Sequence, residues 1–159
     1  MKAQVQAQIL IYVLAIFIAG TILLYGYGVV KNLLVTQEQV QLLDFKKGVS
    51  DQVEELSYAY RDVRENRYRL PVKFTRICFA DLSKNLAGRA RSMGFILVED
   101  SIADGVKKNA FLIEGNRMAD AFYAGQVQVD NDFECFPIAN GQLKLRFEAL
   151  GRAVLISSW

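Results

Sequence analysis

Histidine is absent from this 159-residue sequence, and only two cysteines, two prolines and one tryptophan occur in it. Without histidine the chain lacks the commonest general base and the commonest side-chain metal ligand. Two cysteines alone do not complete the four-ligand set of a structural zinc site. Serine has no imidazole to activate it, and Asp and Glu fall at no paired spacing. Glycine-rich phosphate loops are also missing: Gly26-Tyr27-Gly28 lies in an apolar run, and Leu150-Gly151-Arg152 reads as a β-turn. The net charge of +2 leaves no global nucleic-acid footprint. There is no internal repeat and no low-complexity segment. No catalytic residue, metal site or cofactor is therefore expected, and no enzymatic activity.

Charge is missing in one place above all. From Ile9 to Val30 no charged residue occurs. As a helix this run rises about 33 Å, enough for a hydrocarbon core of roughly 30 Å. Tyr25 and Tyr27 near one end suit the aromatic belt of a membrane interface. A cleaved secretory peptide is the rival reading. It fits less well, because its apolar region usually spans roughly 7–15 residues, and no Ala-x-Ala site follows the run. The chain has room for one such anchor and one domain of about 100 residues.

Beyond the anchor, Leu42, Phe45, Val49, Val53, Leu56 and Tyr60 recur at spacings of three and four. That is one apolar helical stripe. Nothing between Val30 and Val35 breaks a helix, so the spacing predicts an amphipathic stalk over residues 31–70, ended by Pro71. Anchor and stalk together would make a rod of about 50 residues, with Gly48 a mild weak point. The stripe's default partner is the chain's own sheet, with packing against further copies as the alternative.

A β-rich head is expected over residues 71–159. The pattern predicts a mostly buried strand from Val72 to Phe79. A short helix follows, capped by Asp81, with Leu82, Leu86, Ala90 and Met93 inward and Gly94 as its stop. Phe95 to Val98 is an apolar run of ambiguous type, Asp104-Gly105 a turn, and Ala110 to Ile113 a strand. Val127 and Val129 alternate with glutamines. Phe133 to Ile138, Asn140-Gly141 and the alternating Leu143, Leu145 and Phe147 read as a hairpin. Gly151 turns the chain, and Ala153 to Ile156 closes the sheet. The fold class expected is α+β: a long N-terminal transmembrane and stalk helix, then an antiparallel sheet with one short helix.

Two constellations carry chemistry. Cys78 and Cys135 both sit in apolar strand segments and either bond to each other or remain two buried free thiols. A bond closing about 57 residues would stabilise by roughly 4 kcal/mol in the chain-entropy model. The segment from Arg61 to Arg91 holds nine basic residues against three acids, a local balance of +6. Its members are Arg61, Arg64, Arg67, Arg69, Lys73, Arg76, Lys84, Arg89 and Arg91, with Tyr58, Tyr60 and Tyr68 among or beside them. Such a segment is either a solvated face or a site for DNA, acidic polysaccharide or lipid headgroups.

Membrane orientation draws conflicting signals. Lys31, Lys46 and Lys47 after the anchor outnumber Lys2 before it, which favours a cytoplasmic head. A disulfide favours an oxidising exterior.

The first eight residues, Met1-Lys2-Ala3-Gln4-Val5-Gln6-Ala7-Gln8, followed by the apolar run, resemble the class III signal of archaeal type IV pilin-like proteins. In that family a prepilin peptidase cuts a short basic leader just before the hydrophobic helix, and the matching bond here is Ala3–Gln4. The family often carries Ser and Glu at the third and fifth positions after the cut, where this chain has Gln6 and Gln8. A long helix leading into a β-rich head is similar to the pilin plan. The head, with its Cys-Phe strands and Asn-Gly hairpin, also resembles single-anchor proteins of small-genome archaea. The likeness implies an outward-facing head in the cell membrane or an extracellular filament. It also implies self-association or pairing with other pilin-like subunits, with Gly20, Gly26 and Gly28 allowing close helix approach. Nucleic acid is not an expected partner of such a protein. The alternative is a monomeric tethered module that binds an anionic polymer, DNA or polysaccharide, through the basic segment.

Overall fold

Pro71 is the first proline in the chain, so nothing before it removes a donor from a helical hydrogen-bond ladder. In the computed structural model, which describes residues 2–84 and 107–159, the first element is α1 (Lys2–Ser57). Eight strands follow: β1 (Tyr60–Arg69), β2 (Arg76–Ala80), β3 (Ala110–Glu114), β4 (Arg117–Phe122), β5 (Val127–Gln128), β6 (Phe133–Pro137), β7 (Gln142–Leu150) and β8 (Val154–Ser158). The fold is α+β. The chain divides into two compact units, Met1–Gln39 and Val40–Trp159.

The first unit is helical. Within it Leu10–Val30 has a mean hydropathy of 2.2, and none of these residues is buried within the chain. The Thr21 hydroxyl donates to the Ile18 carbonyl at 2.8 Å. That bond satisfies the hydroxyl within the helix itself. A Cβ added at Gly20, Gly26 or Gly28 would meet nothing within 4 Å.

Among the described residues the second unit holds two four-stranded sheets, not the one expected. The first has the order β1-β7-β8-β5, the second β4-β3-β2-β6. All pairings are antiparallel except β5 with β8, which is parallel. Leu143, Leu145 and Phe147 of the first sheet share one core with Ile77, Phe79, Leu112 and Phe136 of the second. A smaller cluster of Cys78, Ala80, Phe111, Ile113 and Phe133 lies on the other face of the second sheet.

The helical stripe packs on this shared core. Phe45, Val49, Val53 and Leu56 are buried, with Leu42 against them. Each buried side chain contributes about 1.5–3 kcal/mol. Phe45 meets Tyr68 of β1 and Phe122 of β4 edge-on, at 5.4 and 5.9 Å between centroids. Lys46 pairs with Asp120 of β4, and Gln52 accepts from Asn66 of β1 at 2.6 Å. Residues 40–57 thus lie across one edge strand of each sheet and cover both.

Three expectations need correction. The helix ends at Ser57, not near residue 70, and Tyr60 is exposed in β1. The inward positions of β1 are Asp62, Arg64, Asn66 and Tyr68. Three of these four are polar, because they face the polar flank of α1, so no apolar alternation marks the strand. Second, the Asn140-Gly141 turn forms, with Ala139 and Gln142 bonded both ways at 3.0 and 2.9 Å. Both turn residues have positive φ, 52° and 69°, as a type I′ turn needs. Yet β6 pairs with β2, and β7 pairs with β1 and β8. The turn passes the chain from one sheet to the other and does not close a hairpin. Third, the strand expected from Val72 to Phe79 runs from Arg76 to Ala80, and no expectation covered the edge strand β4, whose members are half-buried or exposed.

Asp81 accepts from the Ser83 amide at 2.9 Å, as a capping residue does, but Leu82, expected inward, is exposed. The remainder of the expected short helix (Leu86, Ala90, Met93, Gly94), the Phe95 to Val98 run, the Asp104-Gly105 turn, and Arg89 and Arg91 lie outside the described residues.

Candidate functional site

Antiparallel register decides the cysteine question. Cys78 in β2 stands directly opposite Cys135 in β6, and the two form a disulfide. Cys78 is fully buried, amid Ala80, Phe111, Ile113 and Phe133. The bond ties β6, an edge strand, to the middle of its sheet. The Ala3–Gln4 bond lies at the start of α1.

Among the described residues the basic segment does not form one surface. Alternation along β1 sends Arg67 and Arg69 outward and Arg64 inward. Arg64 pairs with Glu55 at 2.9 Å and Asp62 at 3.2 Å. The hydrogen bond to Glu55 is the main cause that holds its guanidinium above the ordinary arginine value. Arg61 sits in a bulge with φ of 59° and lies over the Tyr60 ring at 5.3 Å. Lys73 lies over Phe74, outside any strand. Arg76 begins β2 and donates to the Gly115 carbonyl at 3.3 Å. The six candidates therefore divide among at least three environments.

Two of them join residues that the sequence places far away. Arg67 opposes Lys144 of β7, and both cations lie over the Trp159 ring, at 4.8 and 5.3 Å. Arg69 opposes Gln142 in the next row. Further along, Glu65 opposes Arg146, Val63 opposes Glu148, and Arg146 pairs with Glu148 at 4.0 Å. This outer face of the first sheet is thus charge-balanced at one end and purely basic at the other. Beside the basic end is a groove of about 370 Å³, lined by Phe136, Pro137, Asn140, Gln142, Lys144 and Trp159 among others. The alternation of Lys144 and Arg146 is legible in the sequence as an exposed strand face. The meeting with Arg67 and Trp159 depends on register and is not.

A second cavity, of about 490 Å³, lies between α1 and two turns. Tyr58, Tyr123, Glu54, Gln126 and Arg152 are among its lining. Its two serine hydroxyls are already committed: Ser50 donates to the Tyr123 carbonyl at 3.2 Å, and Ser57 to the Glu54 carbonyl at 2.7 Å. The cavity therefore offers aromatic rings and hydrogen-bonding groups, and neither hydroxyl is aimed at a base. Among the described residues no three metal-ligating side chains cluster.

Two other groups depart from their ordinary behaviour. Burial pushes the Tyr68 hydroxyl upward, with a smaller opposing contribution from Asn66. Burial, followed by the nearby Asp130 charge, pushes the Glu134 carboxyl upward, and its Oε2 is buried without a hydrogen-bond partner. No known protein family, curated protein or solved structure matches this chain.

Proposed function

We propose that this is a pilin-like structural protein of the cell surface, held in the membrane by α1 and serving as a subunit of, or accessory to, a surface assembly. One observation carries the reading: a 21-residue uncharged helical segment, Leu10–Val30, occurs in the same chain as a disulfide. The segment is long enough to span a bilayer. Structural disulfides persist in oxidising compartments, which favours an outward head. The resemblance of Met1 to Gln8 to a prepilin signal supplies the assembly role. Open space beside Gly20, Gly26 and Gly28 suits close helix–helix approach within the membrane or a filament. The amphipathic stripe at residues 42–56 is consumed by the head's own core, so self-association is assigned to the apolar segment.

Intact-mass measurement on protein from native membranes is expected to lack Met1 to Ala3. A mass that retains them removes the processing step and leaves the anchor. Protease added to intact cells is expected to digest the head. Full protection would place the head in the cytoplasm and end the surface-assembly reading.

A further inference from the structure

We infer that the basic end of the first sheet's outer face, built from Arg67, Arg69, Lys144 and Trp159, is a docking site for an acidic carbohydrate chain. The site shares only two residues with a positive surface foreseeable from the sequence. It does not depend on filament assembly.

Like charges directly opposite on neighbouring strands repel, yet Arg67 faces Lys144. The nearest acid on this face, Glu65, stands in the adjoining row opposite Arg146, and Glu148 lies one row further, opposite Val63 and paired with Arg146. Trp159 takes both cations against its ring, which offsets part of the repulsion. An anion between the two side chains removes the rest. The pair is thus arranged for a negative ligand.

A groove adjoins Lys144 and Trp159. Phe136 and Pro137 give it an apolar wall, while Asn140, Gln142 and Ser158 supply amide and hydroxyl groups. A sugar ring presents C–H faces to the first and hydroxyls to the second. Its carboxylate pairs with Lys144, which lines the groove and stands opposite Arg67.

The same geometry disfavours single-stranded nucleic acid. Such ligands need free aromatic rings on which bases stack, and the Trp159 ring already carries two cations. An acidic sugar needs only the cations and the groove.

Trp159 is the only tryptophan in the chain, so indole emission reports this site directly. The full-length protein in detergent micelles is titrated with a uronic-acid oligomer, a neutral glucose oligomer of the same length, and an oligothymidylate. The expected result is a saturable emission change with the uronic-acid oligomer, reversed by salt, and none with the neutral one. Lys144→Gln is expected to bind about tenfold more weakly, the loss of one charge-assisted contact. Arg69→Gln provides an independent variant at an exposed position should Lys144→Gln lower the thermal midpoint, and it is expected to weaken binding in the same direction. Arg146→Gln, at the balanced end of the face, is expected to change affinity little. An absent or non-saturable response overturns the proposal, as does unchanged affinity in the variants. Tighter binding of the oligothymidylate overturns the carbohydrate assignment.

Discussion

A Cβ built on Gly125 would stand 2.7 Å from Cγ1 of Val53, so the loop before β5 touches α1 with no room for a side chain. Gly125 also has a φ of 99°, a conformation that other residues adopt only with strain. Gly125→Ala is therefore expected to destabilise the head by about 1–3 kcal/mol through strain and overpacking. Val53→Ala relieves the clash but leaves the backbone strain. The double variant should then lose less than the sum of the two single losses. Denaturant unfolding of the four proteins measures this coupling, and strict additivity would show that the contact is unimportant.

The loop that carries Gly125 is fixed from β3's side by Asn109. This buried asparagine accepts from the Ala124 amide at 2.8 Å and donates to the Gly125 carbonyl at 2.7 Å. Asn109→Ala leaves the Ala124 amide buried without its partner, a loss of about 1–3 kcal/mol. Hydrogen exchange at the Ala124 amide is expected to rise by more than at β7 amides. Uniform acceleration across the head would argue against a local anchoring role.

Replacing both cysteines, Cys78→Ser with Cys135→Ser, should cost about 2–5 kcal/mol. The two are separated by 57 positions, for which the chain-entropy model gives about 4 kcal/mol. The thermal midpoint is then expected to fall on the order of 10 °C. A reducing agent should bring the parent down to the level of the double variant and leave the variant unchanged. A parent indifferent to reductant would remove the stabilising role.

Glu134 makes stability depend on pH with an unusual sign. Its folded value lies above the ordinary 4.5, through burial first and Asp130 second. The folded state therefore holds this proton more tightly than the unfolded state. Its contribution favours folding below the ordinary value and is lost as pH rises through the folded one. Glu134→Gln is expected to flatten that decline and to be at least as stable as the parent at neutral pH. Thermal melts of both proteins across the acid-to-neutral range decide it, and a less stable variant at neutral pH would count against the assignment.

Periodicity records which side of a residue is dry. It reveals an element only when that side is apolar. The stripe Phe45, Val49, Val53, Leu56 and the alternation Leu143, Leu145, Phe147 both face the core, so both are legible. β1 is invisible for the same reason in reverse. Its inner face meets Gln52 and Glu55 of the helix through Asn66 and Arg64, and polar-to-polar packing leaves no hydrophobic trace. The Asn140-Gly141 turn is equally local and equally readable. What it joins is not local, since β6 and β7 take partners from distant parts of the chain.

The sequence alone determined the uncharged span, the absence of histidine chemistry, the helical stripe and a pair of cysteines in apolar strands. These depend on composition and near-neighbour spacing. Tertiary structure decided that there are two sheets, that Cys78 opposes Cys135, and that Arg64 turns inward to Glu55. It also decided that Arg67, Lys144 and Trp159 converge. Each of these depends on strand register, and register is fixed by burying whole faces together. A sequence read residue by residue does not contain that choice.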